Sequence, residues 1–95
     1  MILEFNGNIF IWRGPEPFFF VAVPPEQSSA IKAISSIATY GWGVIPVYVR
    51  IGKTRWYTSL FPKDGSYLVP IKASVRKAEY LEDGDEVTIQ LEVRL

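Results

Sequence analysis

The sequence predicts a mainly β fold, a small β-barrel of about six strands with two short helices. Three observations lead to this expectation. Apolar and polar residues alternate in the first and last segments, the connections are short, and a strand–proline–helix pattern occurs twice. In that pattern Val23-Pro24 and Ala30–Ala33 match Val69-Pro70 and Val75–Ala78. Two such units favour a pseudo-two-fold barrel, with chance similarity as the alternative.

The first segment, Leu3 to Arg13, alternates with the period of a half-buried strand. Its apolar face carries Leu3, Phe5, Ile9 and Ile11, with Gly7 in the same row as a candidate bulge or bend. Phe10 and Trp12 interrupt the opposite, polar face. We therefore expect the far end of that face to be covered.

The second segment, Phe18–Val23, is apolar on both faces, which predicts a central strand covered on both sides. Pro24-Pro25 ends this strand, and proline is well tolerated where a helix starts. Apolar residues at helical spacing then predict a helix from about Glu26 to Thr39. The glycines of Tyr40–Gly43 are typical of a loop, and we expect the Trp42 ring to fill core space.

The middle of the chain predicts a β-hairpin. A strand over Val44–Ile51 is followed by Gly52-Lys53 and a return strand over Thr54–Phe61. Two residues with glycine first favour a type II′ turn. This turn would place Arg50 opposite Arg55 and Tyr48 opposite Tyr57, with Val49, Ile51 and Trp56 on the core face.

The last third of the chain predicts a turn, a strand, a short helix and a final strand. Their expected bounds are Phe61–Ser66, Tyr67–Ile71, Ser74–Tyr80 and Glu86–Leu95. The acidic segment Glu82–Asp85 lacks the ligand spacing of a calcium-binding EF-hand, so we expect a simple turn. Leu91 lies in the middle of the inward row of the final strand.

Length and composition limit the possible classes of protein. The 95 residues suffice for one domain, residues 1–95, and the 48% of hydrophobic residues exclude a disordered chain. Ten basic residues balance ten acidic ones, which argues against a dedicated DNA-binding domain. The sequence has neither cysteine nor histidine, so we expect no disulfide, no metal and no cofactor. No signal peptide or membrane-spanning run is recognisable, and we expect a cytoplasmic protein without membrane contact.

Several short blocks together resemble one known family. They are Gly41–Pro46, Ile51-Gly52, Thr58–Pro62, Gly65, Tyr67–Lys72, Val75–Glu79 and Gly84-Asp85. They are similar to the signature of DUF1905, domain of unknown function nineteen-oh-five, over nearly the whole chain. The resemblance implies a small double-split β-barrel.

Residues 69–87 are also similar to the swapped-hairpin module of AbrB/MazE-type transcription factors, in which two chains build one DNA-binding barrel. The DUF1905 resemblance implies no established activity and no catalytic residues. Some members carry a helical C-terminal extension associated with bacteriocin protection, and this chain stops at Leu95 without it.

Two groups of residues are candidates for a ligand site. The first lies on the hairpin and comprises Tyr48, Arg50, Lys53, Arg55 and Tyr57. Like charges opposite each other on a strand pair are tolerated when solvent or an acidic neighbour such as Glu92 screens them, or when an anion binds between them. The second group is Ser59 with Lys72 and Arg76, next to Thr58. A serine beside a lysine can act as nucleophile and base, although a solvated polar surface is the simpler interpretation.

The sequence thus predicts a non-enzymatic binding or interaction module of unknown ligand. One alternative is a nucleic-acid-binding, AbrB-like domain with an anionic partner, supported by the local basic residues between Arg50 and Lys77. Another alternative is a small-molecule-binding barrel or an unrecognised enzyme. Both a monomer and a homodimer are compatible with the sequence.

Overall fold

A computed structural model describes residues 1–35 and 45–94 of the protein. These residues form six β-strands and two α-helices. In chain order they are β1 (Ile2–Trp12), β2 (Phe18–Ala22), α1 (Pro25–Ala33), β3 (Ile45–Ile51), β4 (Thr54–Lys63), β5 (Ser66–Pro70), α2 (Ala73–Ala78) and β6 (Glu86–Val93). The predicted loop at Tyr40–Gly43, the Trp42 ring, Val44 and Leu95 lie outside the described residues.

The strands close into a barrel, which confirms the mainly β fold with two short helices. Their order around the barrel is β1-β2-β5-β4-β3-β6, and β6 returns to β1. All six neighbouring pairs are antiparallel. The long pairing of β1 with β6 runs without interruption from Ile2 opposite Glu92 to Asn8 opposite Glu86.

The core lies inside the barrel and consists mainly of branched aliphatic side chains. Residues of β1 and β6 alternate between buried and exposed, as their period-two sequences predict. Val87, Ile89, Leu91 and Val93 all point inward, and Leu91 has no exposed surface. The two helices add Ile31 and Val75 to the same core.

Gly7 lies in the inward row of β1 and allows a side chain of the neighbouring strand β2 to approach closely. A Cβ atom at this position would collide with Cγ1 of Val21 on β2. The pairing with β6 is continuous through Gly7 opposite Val87, so the predicted alternative of a bulge is wrong. The missing side chain is used for packing.

The predicted helical segment is interrupted at Ile34, and Ser35 is again helical. Helix α1 begins at Pro25, where the Ser28 N–H donates to the Pro24 carbonyl at 2.8 Å. It ends at Ala33, because Ile34 leaves helical geometry with φ of −109° and donates instead to the Ile31 carbonyl. The rest of the predicted segment, residues 36–39, lies outside the described part of the chain.

Both hairpin turns in the second half have two residues. Gly52 has φ of 58° and Lys53 has no positive φ, as a type II′ turn requires. The turn predicted over Phe61–Ser66 is too long, because Asp64 and Gly65 both adopt positive φ, 51° and 79°, the geometry of a type I′ turn. Pro62 lies in β4 beyond Leu60, the last residue that pairs with the described part of β3.

Helix α2 is tied to the turn between β3 and β4. The Thr54 hydroxyl donates to a carboxylate oxygen of Glu79, the C-cap residue of α2, at 2.6 Å. The other carboxylate oxygen of Glu79 lies so close to Gly52 that a Cβ atom there would collide with it. The helix and the hairpin turn therefore hold each other in place.

Leu91→Ala tests the assignment of the inner face of β6. We expect this substitution to lower the free energy of unfolding by about 2–5 kcal/mol, since it leaves a cavity in a closed interior. Gln90→Ala, on the exposed face of the same strand, should change it by less than about 0.5 kcal/mol. Urea denaturation of the two variants measures both values, and similar values for the two would contradict the assignment.

Candidate functional site

The strand register brings the first candidate group together. Arg50 lies opposite Arg55 and Tyr48 opposite Tyr57, as the predicted turn requires. The intervening core residues Val49, Ile51 and Trp56 are buried. We call the outward residues the hairpin group: Tyr48, Arg50, Lys53, Arg55 and Tyr57.

Within the hairpin group, the Arg55 guanidinium already has partners on the protein. One of its nitrogens lies 3.6 Å from a carboxylate oxygen of Glu92 on β6. Its Cζ atom lies 4.1 Å from the centre of the Tyr48 ring, which packs edge-on against Tyr57 at a centroid distance of 5.2 Å. The acidic neighbour considered as the simpler explanation of the arginine pair is therefore present.

A small cavity of about 190 Å³ lies next to the hairpin group. Tyr48, Arg50, Arg55, Gln90 and Glu92 are among its lining residues, and Arg50 lies opposite Gln90 on β6. Lys53 lies in the exposed turn and is not part of this lining. Because Glu92 supplies a negative charge to the same space, the cavity is a poor receptor for an anion.

The second candidate group is divided by the structure. Lys72 and Arg76 line a groove of about 440 Å³ together with Thr58, whereas Ser59 is outside the lining. The groove lies where α2 packs beside β4. We call it the cationic groove and define it by Phe18, Phe19, Thr58, Phe61, Lys72 and Arg76.

The two basic side chains of the cationic groove are held by different contacts. The Lys72 ammonium donates to the Tyr57 carbonyl at 2.9 Å. The Arg76 Cζ atom lies 3.6 Å from the centre of the Phe19 ring, a cation–π contact. The Nε of Arg76 is buried and has no hydrogen-bond partner among the described residues. A buried donor without a partner is unfavourable by about 1–3 kcal/mol, and the Nε1 of the core residue Trp56 shares this state.

Outward-facing aromatic side chains of β1, β2 and β4 form a continuous surface next to this groove. Neighbouring ring centroids lie 6.1–6.3 Å apart. Trp12, Phe18 and Phe61 are 43%, 48% and 44% exposed. We call this surface the aromatic face: Phe10, Trp12, Phe18, Phe20 and Phe61.

The strand order explains how the aromatic face forms. Phe10 lies opposite Phe20, and Trp12 opposite Phe18, on the paired strands β1 and β2. β5 separates β2 from β4, and the Phe61 ring crosses it to meet Phe20 edge-on at 83°. A groove of about 360 Å³ lies on this surface and shares Phe18 and Phe61 with the cationic groove. The two grooves are therefore adjacent.

The aromatic face corrects the sequence-based expectation for β1 and β2. Both the end of β1 and the outer side of β2 were expected to be covered, yet among the described residues Trp12 and Phe18 remain about half exposed. Phe20 is buried to 8% exposure, although it lies outside the core cluster and is surrounded by other rings of the same face. Aromatic residues at every second position of β1 and β2 indicated that these rings share one face of the sheet. The sequence alone did not show that this face is exposed to solvent.

The acidic segment Glu82–Asp85 has a structural role. The Asp85 carboxylate accepts the Glu82 N–H at 2.8 Å, and the Gly84 N–H donates to the Ile9 carbonyl at 2.7 Å. The Asn8 amide also donates to the Gly84 carbonyl. These bonds fix the turn against β1. In residues 1–35 and 45–94, no group of three acidic side chains is positioned to hold a metal ion.

The sequence of the chain matches one known protein family. A family model described as a domain of unknown function matches residues 5–91. The chain belongs to DUF1905. The match includes the hairpin group, the cationic groove and the aromatic face, so all three surfaces belong to the DUF1905 domain. No curated protein matches the chain.

Neither helix of this DUF1905 domain, in the part of the chain that the structure describes, is long and apolar enough to cross a membrane.

The two arginines of the hairpin group should respond differently to substitution. Arg55→Gln removes a half-exposed ion pair and a cation–π contact, and we expect a loss of about 0.5–1 kcal/mol in the free energy of unfolding. Arg50→Gln removes a like charge opposite Arg55, so stability should stay level or rise slightly. Urea denaturation at low salt measures both, and a greater loss in Arg50→Gln would show that the charge assignment is wrong.

Proposed function

We propose that this protein is a non-enzymatic binding module that holds a small organic ligand with a flat apolar body on its aromatic face. The observation that carries the proposal is the exposed, continuous cluster of Trp12, Phe18 and Phe61. Large contiguous apolar patches on a protein surface usually mark binding sites. These rings lie on paired strands, so binding requires little ordering of the site.

The size of the grooves favours a small ligand. Their volumes of about 360 and 440 Å³ fall within the usual range of small-molecule sites. Aromatic walls supply stacking and edge-to-face contacts for a planar ligand, worth about 0.5–1.5 kcal/mol per ring pair beyond burial. Leu68 of β5 and the ring of Pro62 extend the apolar lining of the groove on the aromatic face.

Nucleic-acid binding is a second candidate function. It is supported by the position of Lys63, Lys72 and Arg76 beside aromatic rings, since bases stack on such rings while cations contact phosphates. The zero net charge of the chain weakens this candidate. The AbrB-like and double-split descriptions of the barrel remain predictions. Heparin retention that falls steeply with salt, and that Lys63→Gln with Lys72→Gln abolishes, would favour nucleic acid over a small ligand.

Titration with 2-naphthol, a neutral planar probe, tests the proposed function. We expect saturable binding that shifts the backbone amide resonances of Phe18 and Phe61 in NMR spectra. The double variant Trp12→Thr/Phe61→Thr should bind at least about tenfold more weakly, the loss expected when contacts worth about 1.4 kcal/mol are removed.

Tyr57→Thr is the matched control for this titration. Tyr57 lies on the outer side of β4, like Phe61, and is similarly exposed at 48%. Its removal should leave 2-naphthol binding unchanged within about twofold, a difference well below 1 kcal/mol. Thermal melts verify that each variant is folded. Equal binding by the double variant and the wild type would refute the aromatic face as a ligand site.

A further inference from the structure

We propose that the cationic groove binds the anionic group of an amphiphilic organic ligand, whose apolar body lies on the aromatic face. This inference rests on the proposed function and adds the chemical class of the ligand. That class is a planar or elongated apolar molecule ending in one anionic oxygen group, a carboxylate or a phosphate.

Arg76 provides the first argument. Its guanidinium is stacked 3.6 Å from the centre of the Phe19 ring, which fixes the plane of the fork. Its Nε is buried, so a ligand in the groove would meet the terminal nitrogens of the fork. A carboxylate or phosphate can accept from both of these nitrogens at once, a bidentate geometry that arginine favours.

The charge of the groove provides the second argument. Lys72 and Arg76 are both part of its lining, which includes no acidic residue in the described part of the chain. Over residues 1–35 and 45–94 the ion pair that forms is Arg55 with Glu92, on the hairpin group. The positive charges of Lys72 and Arg76 are therefore not met by a carboxylate of these residues.

Comparison with the hairpin group shows why the anion belongs in the cationic groove. The cavity of the hairpin group also contains two basic residues, Arg50 and Arg55, but Glu92 lies in it and pairs with Arg55. An anion entering there would have to displace or approach that carboxylate. The cationic groove imposes no such repulsion, and its volume of about 440 Å³ exceeds the 190 Å³ of the other cavity.

Continuity of the surface provides the argument for an amphiphile. Phe18 and Phe61 belong both to the cationic groove and to the groove on the aromatic face. A ligand with its anionic group at Arg76 would thus extend over these rings towards Trp12. A free inorganic anion would leave the rings exposed, and a neutral apolar molecule would leave the charges of Lys72 and Arg76 without a counter-charge.

The test compares two probes that share one ring system, 2-naphthoate and 2-naphthol. NMR titration of the wild-type protein should show 2-naphthoate binding about tenfold or more tightly than 2-naphthol, because only the carboxylate forms charged hydrogen bonds. Titration with 2-naphthyl phosphate shows whether a phosphate serves better than a carboxylate, and tighter binding of either anion supports the inference. Equal affinity of both anions and 2-naphthol would overturn it without any variant.

Arg76→Gln then locates the anion. In this variant the preference for 2-naphthoate over 2-naphthol should disappear, while the affinity for 2-naphthol stays within about twofold of wild type. Arg50→Gln is the matched control and should keep the full preference. If the preference for 2-naphthoate fell equally in both variants, it would arise from the overall charge of the protein. The proposal of an anion site at Arg76 would then be overturned.

The same titrations separate this inference from the proposed function. If Trp12→Thr/Phe61→Thr weakens both probes while Arg76→Gln changes neither, the aromatic face stands and the anion site fails. If neither variant changes any affinity, both fail. Titration with a short oligodeoxythymidine tests the nucleic-acid alternative. If it shifts the resonances of the groove residues and 2-naphthoate binds no better than 2-naphthol, the ligand is single-stranded nucleic acid and the inference of a small amphiphilic ligand is overturned.

Discussion

Packing of aliphatic side chains inside a closed six-stranded barrel is the interaction on which the rest of the structure depends. Val21, Val47, Val49, Leu60 and Leu91 have no exposed surface. Full burial of such a side chain stabilises a fold by about 1.5–3 kcal/mol. The interior is packed so closely that a Cβ atom at position 7 of β1 would collide with the Val21 side chain. Because most of the inner rows are committed to this packing, a ligand can meet only the outer rows, the helices, the turns or partly buried inner-row residues such as Phe19 and Thr58.

The outer rows are therefore ordered surfaces. Each outward side chain alternates along its strand with one that is buried in the core. The hydrogen-bonded backbone sets the distance between cross-strand pairs such as Trp12 and Phe18. A site built in this way is organised before its ligand arrives. The short helix α2 is also positioned by the core, because Val75 is buried there while the next residue, Arg76, lines the groove.

Period-two alternation was sufficient to predict the inner faces of β1 and β6 and the register of the hairpin. The pairing of Arg50 with Arg55 followed from the turn alone, because two residues leave one possible register. The length of the turn after β4 was predicted wrongly, although Asp64-Gly65 is a strong type I′ signal. The early end of α1 has no comparable signal in the sequence.

The candidate site was harder to predict than the fold for a physical reason. Alternation assigns a residue to one side of a sheet, but it does not show whether another layer covers that side. The contact of Phe61 with Phe20 depends on the order β2-β5-β4, which no local pattern contains. The sequence suggested a group of Thr58 and Ser59 with Lys72 and Arg76, and all of these except Ser59 line one groove. The stacking of Arg76 on Phe19 joins residues far apart in sequence.

The position of β6 also determines when the barrel can form. This strand inserts between β1 and β3, so the ladder joins Ile2 to Glu92 across almost the whole chain. As the ribosome releases the chain, β1 and β3 each have an open edge until residues 86–93 emerge, and open edges invite pairing with other chains. The barrel therefore cannot close before β6 is in place, and the pairing of β1 with β6 closes a long loop, a topology that slows folding relative to helical domains of this size. We expect the chain to be most prone to pairing with other chains before that strand is in place.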